Sequence, residues 1–398
     1  MYTLKSVLVG ATALSAFFVV SSSHAQDNSI AFLNSDPVPP VKSADGMREY
    51  NIRGRMMLDY SAGSDDNPDN NFSGTKLRAG WFGIDAKVNN NVSFKFEADL
   101  STDTVVVRDA LVRYTDKDWN VTVGNIRVPH TIDFMTPLSQ TTLMERSASR
   151  FAFGFGRAMG AIFATGSDNW GLTLGLFQGG YKFTAAENEG FIGSVRGSVG
   201  GKVGAGKWML ASSARYRNRN DEGALTYKSK AITRQSMTVS SFASQATKDN
   251  LYTLESALTQ GSLFATAEYY HLNAKDAIDV GTNAKLSGGY AEVGYILTGE
   301  ERPMNIKSGA WGRPQVASPL GSGGKGLWMV SARYDVLDLN DKTALGGEQT
   351  NYIASVTWYM TRFMRAIMEY GHTVVKDRDF LGHKNNADVM GMRFNIDW

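Results

Sequence analysis

The sequence predicts an all-β chain: a transmembrane antiparallel β-barrel of about sixteen strands, with one long segment packed against its inner wall. Three observations predict this. Apolar and polar residues alternate with period two through much of the chain after residue 49, the pattern of strands with one apolar face. The spacers between these runs come in two sizes that largely take turns, as in barrels with tight turns at one end and long loops at the other. The final run ends on an aromatic residue, Trp398, on its apolar side.

Composition bounds the alternatives. The chain has 398 residues, 42% hydrophobic and 20% charged, with 41 glycines and only 9 prolines. No apolar run reaches the roughly 18 residues a transmembrane helix needs. Cysteine is absent, which excludes a disulfide framework, a thiolate nucleophile and a Cys-ligated metal. Residues 1–25 read as a secretory signal peptide: Lys5, the apolar stretch Val7 to Val20, then Ser23-His24-Ala25 before Gln26. Removing Lys5 leaves 40 basic residues against 39 acidic ones. Any ion preference must therefore come from charge placement.

Residues 26–48 hold three prolines and no period and are expected to be an irregular periplasmic segment. The barrel is expected over 49–398. Its first strand sets Ile52, Gly54, Met56, Leu58 and Tyr60 against Arg53, Arg55, Met57 and Asp59. Phe94, Phe96, Ala98 and Leu100 alternate with Lys95, Glu97 and Asp99, and Tyr352 to Met360 repeats the pattern. Short spacers fall at Asn89–Asn91, Thr115–Asp118, Ser167–Asn169, Gly204–Gly206, Gln260–Gly261 and Met360–Arg362. Long polar spacers are expected at Ala62–Gly74, Gly179–Glu189, Asn220–Asp249, Asn273–Asn283, Asn340–Gln349 and Lys376–Ala387. Gly299–Lys325 is long where a short turn is due, so either that turn is expanded or the strand count is wrong by a pair. In the last strand Met390, Met392, Phe394, Ile396 and Trp398 alternate with Gly391, Arg393, Asn395 and Asp397.

The segment Pro129–Arg157 interrupts the alternation longest. Phe134, Met135, Leu138, Leu143, Met144, Phe151, Phe153 and Phe155 make it too apolar for a solvated loop. It also carries Arg146, Arg150 and Arg157 against Asp133 and Glu145. Such a segment should pack against the barrel's inner wall and show its charges to whatever passes.

Arg215, Arg217 and Arg219 share one strand face, opposite Trp208, Leu210, Ala214 and Tyr216. Neighbours two apart on a strand lie roughly 6.7 Å from each other and repel by about 0.6 kcal/mol in water. Two readings offset this repulsion. The row guides passing anions, or acids on adjacent strands pair with it; Glu268 and Glu292 have the right parity, and Asp221 and Glu222 follow directly. Arg53, Arg55, Arg113 and Arg333 share the lumen orientation and extend the candidate anion pathway. Enzyme motifs are lacking. His271 near Glu268 is the one acid–His pair worth naming, and an ordinary strand-end histidine explains it.

The stretches DALVRY (109–114), VGNIRVP (123–129), LMERS (143–147), GRAMGA (156–161), LTGEERP (297–303), GLWMVSARYDVLDL (326–339) and RFNIDW (393–398) occur in that order. In them the chain resembles the phosphate- and polyphosphate-selective porins of the Gram-negative outer membrane. The resemblance implies a sixteen-stranded barrel, a homotrimer, and a long third loop folded into the lumen as its constriction. It also implies a basic ladder for anions and recognition of the C-terminal strand by the barrel assembly machinery.

The expectation is thus an outer-membrane diffusion channel for small hydrophilic solutes, preferring anions such as phosphate. Outer-membrane lipid and lipopolysaccharide are its surroundings, and no cofactor, metal or nucleic acid is expected. A general or sugar-permeable porin, or a plugged structural or surface-binding barrel, remain the alternatives.

Overall fold

The computed structural model describes residues 38–179, 189–220, 223–321, 323–342, 344–378 and 385–398. The expected signal peptide and most of Gly179–Glu189 lie outside the described residues. Sixteen strands pair antiparallel in a closed ring. In chain order they are β1 (Glu49–Asp65), β2 (Phe72–Lys87), β3 (Val92–Asp99), β4 (Val106–Asp116), β5 (Trp119–Arg127), β6 (Arg157–Ser167), β7 (Trp170–Gln178) and β8 (Phe191–Val203). The ring continues with β9 (Gly206–Asn218), β10 (Lys248–Gln260), β11 (Leu263–Asp279), β12 (Thr282–Ile296), β13 (Leu327–Asp341), β14 (Ala344–Tyr359), β15 (Met364–Arg378) and β16 (Asn385–Asp397). Pairing of β1 with β16 closes it, from Arg55↔Asp397 to Asp65↔Ala387. Val41–Lys42 merely adds to the edge of β1.

The period-two pattern decides the two faces. Ile52, Leu58, Phe82, Phe96, Leu210, Leu254, Val293 and Tyr352 point outward and are exposed. An apolar outer band of this kind suits a bilayer. Trp328 and Trp358 stack at 5.2 Å on that face, and both indoles donate to the carbonyl of Lys325. The Trp398 backbone pairs with Gly54 in both directions. A Cβ at Gly54 would run into the Trp398 ring, so the close approach requires glycine.

All six short spacers fall at tight connections. Three of the long ones are overestimated, whereas Asn220–Asp249 does span a long connection between ring strands. Asp279 already pairs with Thr282, Asp341 with Ala344, and only residues 66–71 remain unpaired within Ala62–Gly74. Strands of 15–17 residues exceed the roughly 9–11 that cross a bilayer. Their polar ends stand beyond the apolar band and keep their ladder hydrogen bonds. Polarity marks where a strand leaves the apolar layer, not where pairing stops.

Gly299–Lys325 proves to be an expanded turn, so the strand count stands. It forms a small hairpin, Met304–Asn305 with Ala310–Trp311. From there it reaches across the ring: the Arg196 guanidinium of β8 donates to the carbonyls of Ser308 and Gly309 at 3.0 and 2.9 Å. Lys307 donates to the Asp118 carbonyl beyond β4.

The segment between β5 and β6 is compact rather than irregular. It holds two short α-helices, α1 (Ile132–Met135) and α2 (Ala148–Phe153), with a 3-10 turn at Leu138–Gln140. It lies against the buried face of the far wall. Backbone N–H groups of Ile132, Asp133, Met144 and Ala148 donate to Glu255, Glu268, Glu369 and Asp335 at 2.6–2.8 Å. The Thr142 hydroxyl donates to Glu292 at 2.6 Å. Its apolar side chains enter five separate clusters. Phe153 packs with Tyr270 and Leu337, and Ile132 with Phe264 and Trp311. Leu143 packs with Ile353, Phe155 with Ile192, and Leu138 with Met57.

This burial is directly testable, because the chain has no native cysteine. Leu143→Cys (Leu143 is 1% exposed) should react with a bulky maleimide much more slowly than Asp69→Cys in the exposed 66–71 connection. Equal labelling rates would contradict the packing.

Candidate functional site

The 128–156 segment, the expanded turn and residues 223–247 pack against buried side chains of β8 to β16. Space remains along β1 to β7. At the short-turn end a cavity of about 750 Å³ is lined by Arg53, Asp85, Lys95, Asp109, Arg113 and Arg127, among others. Toward the other end a smaller cavity of about 120 Å³ is lined by Arg78, Arg108, Arg127, Arg146, Arg150, Arg157 and Arg234. Trp81, Phe134, Leu138, Phe151 and one carboxylate, Glu145, complete that lining. Arg127 belongs to both linings.

Local backbone irregularity delivers two of these arginines. Met57 pairs with Ala79 and Leu58 with Leu77, so Arg78 is an extra residue in β2. Glu97 pairs with Asp109 and Ala98 with Val107, so Arg108 is an extra residue in β4. β-Bulges re-aim side chains that strict alternation would send to the other face. Arg127 ends β5, and the 128–156 segment supplies Arg146 and Arg150.

The arginines differ in how far their charge is matched. Arg157 bonds Asp109 at 2.5 Å, and Arg108 sits 3.3 Å from Asp99 and 3.7 Å from Glu97. Arg78 bonds Glu145 at 2.5 Å. Arg127 donates to the carbonyls of Phe134 and Met135, and Arg146 to those of Phe134 and Thr136. Among the described residues no carboxylate lies within 4.0 Å of either. Three guanidiniums, Arg150, Arg127 and Arg146, stand 3.9, 5.2 and 5.6 Å from the Phe134 ring centre. Arg108 and Arg55 stand 3.7 and 4.5 Å from Trp81.

Glu145 ties the segment to three adjacent strands where the ring closes. It accepts from Arg78 of β2 and Arg393 of β16, and Arg393 also holds Asp59 of β1. Burial pushes the Glu145 carboxyl up, but Arg78 and then Arg393 more than offset this, leaving it well below the ordinary carboxylate range. A depressed carboxylate contributes stability above its unfolded pKa and loses it only as pH falls through the folded value. The link therefore holds throughout the neutral and mildly acidic range. His130 is held well below the usual imidazole value by burial, with Arg150 adding to the effect, so it adds no positive charge at neutral pH.

Sequence-derived candidates divide accordingly. Arg53 and Arg113 line the larger cavity, Arg53 bonding Asp85 at 2.6 Å and Arg113 donating to Thr122. Arg146, Arg150, Arg157 and Glu145 line the smaller one. The others do not face it. Arg215 and Arg217 are buried on a shared carboxylate, Asp249 of the next strand, and Arg215 also donates to the Phe153 carbonyl. Arg219 falls beyond the end of β9. Arg333 is buried on Glu292 at 2.6 Å. Arg55 is buried against Ser139, 3.5 Å from Asp397. The repulsion along the arginine row is thus offset by pairing within the wall, with Asp249 rather than Glu268 as the partner. Glu268 is buried on the inner face of β11 and His271, an odd number of residues away, faces outward, so they form no pair.

Sequence reasoning missed Arg78, Arg108 and Arg127. A bulge leaves no trace in a period-two pattern, so no sequence signal placed the first two. Arg127 lies within the VGNIRVP run, where nothing in the pattern set it apart.

The paired row yields a prediction. Replacing Arg215 and Arg217 with Gln leaves Asp249 buried without its cations, a loss on the order of 3–5 kcal/mol. The temperature at which the barrel unfolds on heating in detergent should fall, while the anion-to-cation permeability ratio in planar bilayers should hardly change. A changed ratio at unchanged stability would return the row to the pathway.

Known proteins share this architecture. The anion-selective porin from Comamonas acidovorans superposes with a TM-score of 0.58 at 12% identity, over 88% of this chain and all of that one. In-vitro folded OmpT, an outer membrane protein of Vibrio cholerae, gives 0.57 at 12% identity, over 90% and 99%. An uncharacterized protein of Caulobacter vibrioides is 28% identical over 379 residues, 89% of this chain and 75% of that one. The family model for phosphate-selective porin O and P matches residues 50–398, and by that match over nearly the whole barrel the chain belongs to this porin family.

Proposed function

We propose that the protein is a passive outer-membrane channel that admits small anions through the neck at Arg127. The carrying observation is the composition of that neck: seven arginines and one carboxylate line the smaller cavity. Charges gathered around one small cavity add their fields where they stand within a Debye length of one another, about 8 Å at physiological salt. Low-dielectric walls focus such a field, enriching anions and excluding cations. Guanidinium forks match phosphate and carboxylate oxygens, in keeping with the family's phosphate label. On this reading the 128–156 segment is the third loop, folded into the lumen as the constriction. Glu49, Asp85 and Asp109 along the larger cavity stop the bases there from holding an anion too tightly to release it.

The mature chain is proposed to begin near Gln26 after signal cleavage and to assemble as a homotrimer. A trimer form of the Vibrio cholerae OmpT is a structural neighbour, which supports this. No cofactor takes part.

The reversal potential under a salt gradient tests the reading. The purified protein in a planar bilayer should pass chloride in preference to potassium. Arg127→Gln combined with Arg146→Gln should lower that ratio by roughly two- to tenfold at low salt, and by less at 1 M, where the screening length shrinks to about 3 Å. A ratio near unity for the wild type would make this a general porin.

A further inference from the structure

The geometry points to organic carboxylates with an aromatic body, rather than bare inorganic phosphate, as the anions that this neck holds best. The inference rests on the anion-channel reading and deepens it. Phosphate needs only charge and donors. The smaller cavity offers these through Arg127 and Arg146, whose guanidiniums are met by carbonyls rather than by an acid. Its other lining is not what a hydrated inorganic ion calls for. Trp81, Phe134, Phe151 and Leu138 share the wall with the arginines.

The rings and guanidiniums are interleaved. Arg108 lies 3.7 Å over Trp81, Arg150 lies 3.9 Å over Phe134, and Arg234 lies 4.9 Å over Phe151. A guanidinium plane stacked on one aromatic ring readily accepts another. A benzoate-like anion extends that stack with its ring while its carboxylate takes a bidentate fork. The cavity volume, about 120 Å³, is of the order of the roughly 150 Å³ cavities that accept a benzene ring, and Arg127 also lines the larger cavity.

The test is competitive block of chloride current through the wild-type channel in planar bilayers, at fixed ionic strength and neutral pH. Three probes are titrated: benzoate, cyclohexanecarboxylate and inorganic phosphate. Benzoate should reach half-block at about tenfold lower concentration than phosphate, the ratio that a stacking contact of roughly 1.4 kcal/mol gives. Cyclohexanecarboxylate, with the same charge and bulk but no π face, should fall between them. Trp81→Leu should move benzoate toward phosphate; if that variant fails to fold, the wild-type series still decides. Phosphate blocking at or below the benzoate concentration overturns the inference, and so does cyclohexanecarboxylate matching benzoate. An anion-selective channel that gives either of those results refutes this inference alone. A channel without anion selectivity refutes the underlying reading as well.

Discussion

Five wall side chains, Glu255, Glu268, Glu292, Asp335 and Glu369, hold the 128–156 segment by four backbone amides and a threonine hydroxyl. A segment outside the sheet has no ladder of its own, and its buried N–H groups must find acceptors. Carboxyl oxygens on one side of the ring supply them. The arrangement also answers the question of why acids line a pore whose neck is cationic. On that side they face a peptide rather than the passing solute, and Glu255 and Glu292 are further matched by Arg196 and Arg333.

Apolar packing completes the attachment. The segment places a residue in each of five clusters spread around the ring, so no single contact carries it. The expanded turn approaches from the short-turn end. There the Trp311 backbone N–H donates to Thr136, and the Arg302 guanidinium to the Gln140 carbonyl. Segment and turn pack against residues of the long strands, whereas the two cavities lie mainly along β1 to β7, five of which, β3 to β7, have 8–11 residues where several of the others have 15–17.

Charge is divided by the same rule. On the covered half, arginines such as Arg215, Arg217 and Arg333 meet buried carboxylates and stabilise the wall. A buried pair of this kind gives little net stability over an apolar pair of the same shape, but breaking it is costly. On the open half, cations outnumber acids around the neck. The near-zero net charge of the chain conceals both populations, which is why composition says nothing about selectivity.

The alternation by itself determined the barrel, the tight turns and the orientation of every regular strand face. Period two is a local property of extended backbone, and one lipid-facing side must be apolar. The apolar load of Pro129–Arg157 likewise showed that this segment must be buried. The sequence could not say which lumen arginines meet a carboxylate. Arg215, Arg217 and Arg219 look alike as a row, and only the register that sets Arg217 beside Asp249 separates paired wall charge from exposed charge. Nor could it show that Arg78 and Arg108 turn inward, since each depends on one unpaired residue in a ladder whose partner strand lies elsewhere in the chain. Pairing across strands and bulges between them are tertiary facts, and here they decide where the positive charge of the neck resides.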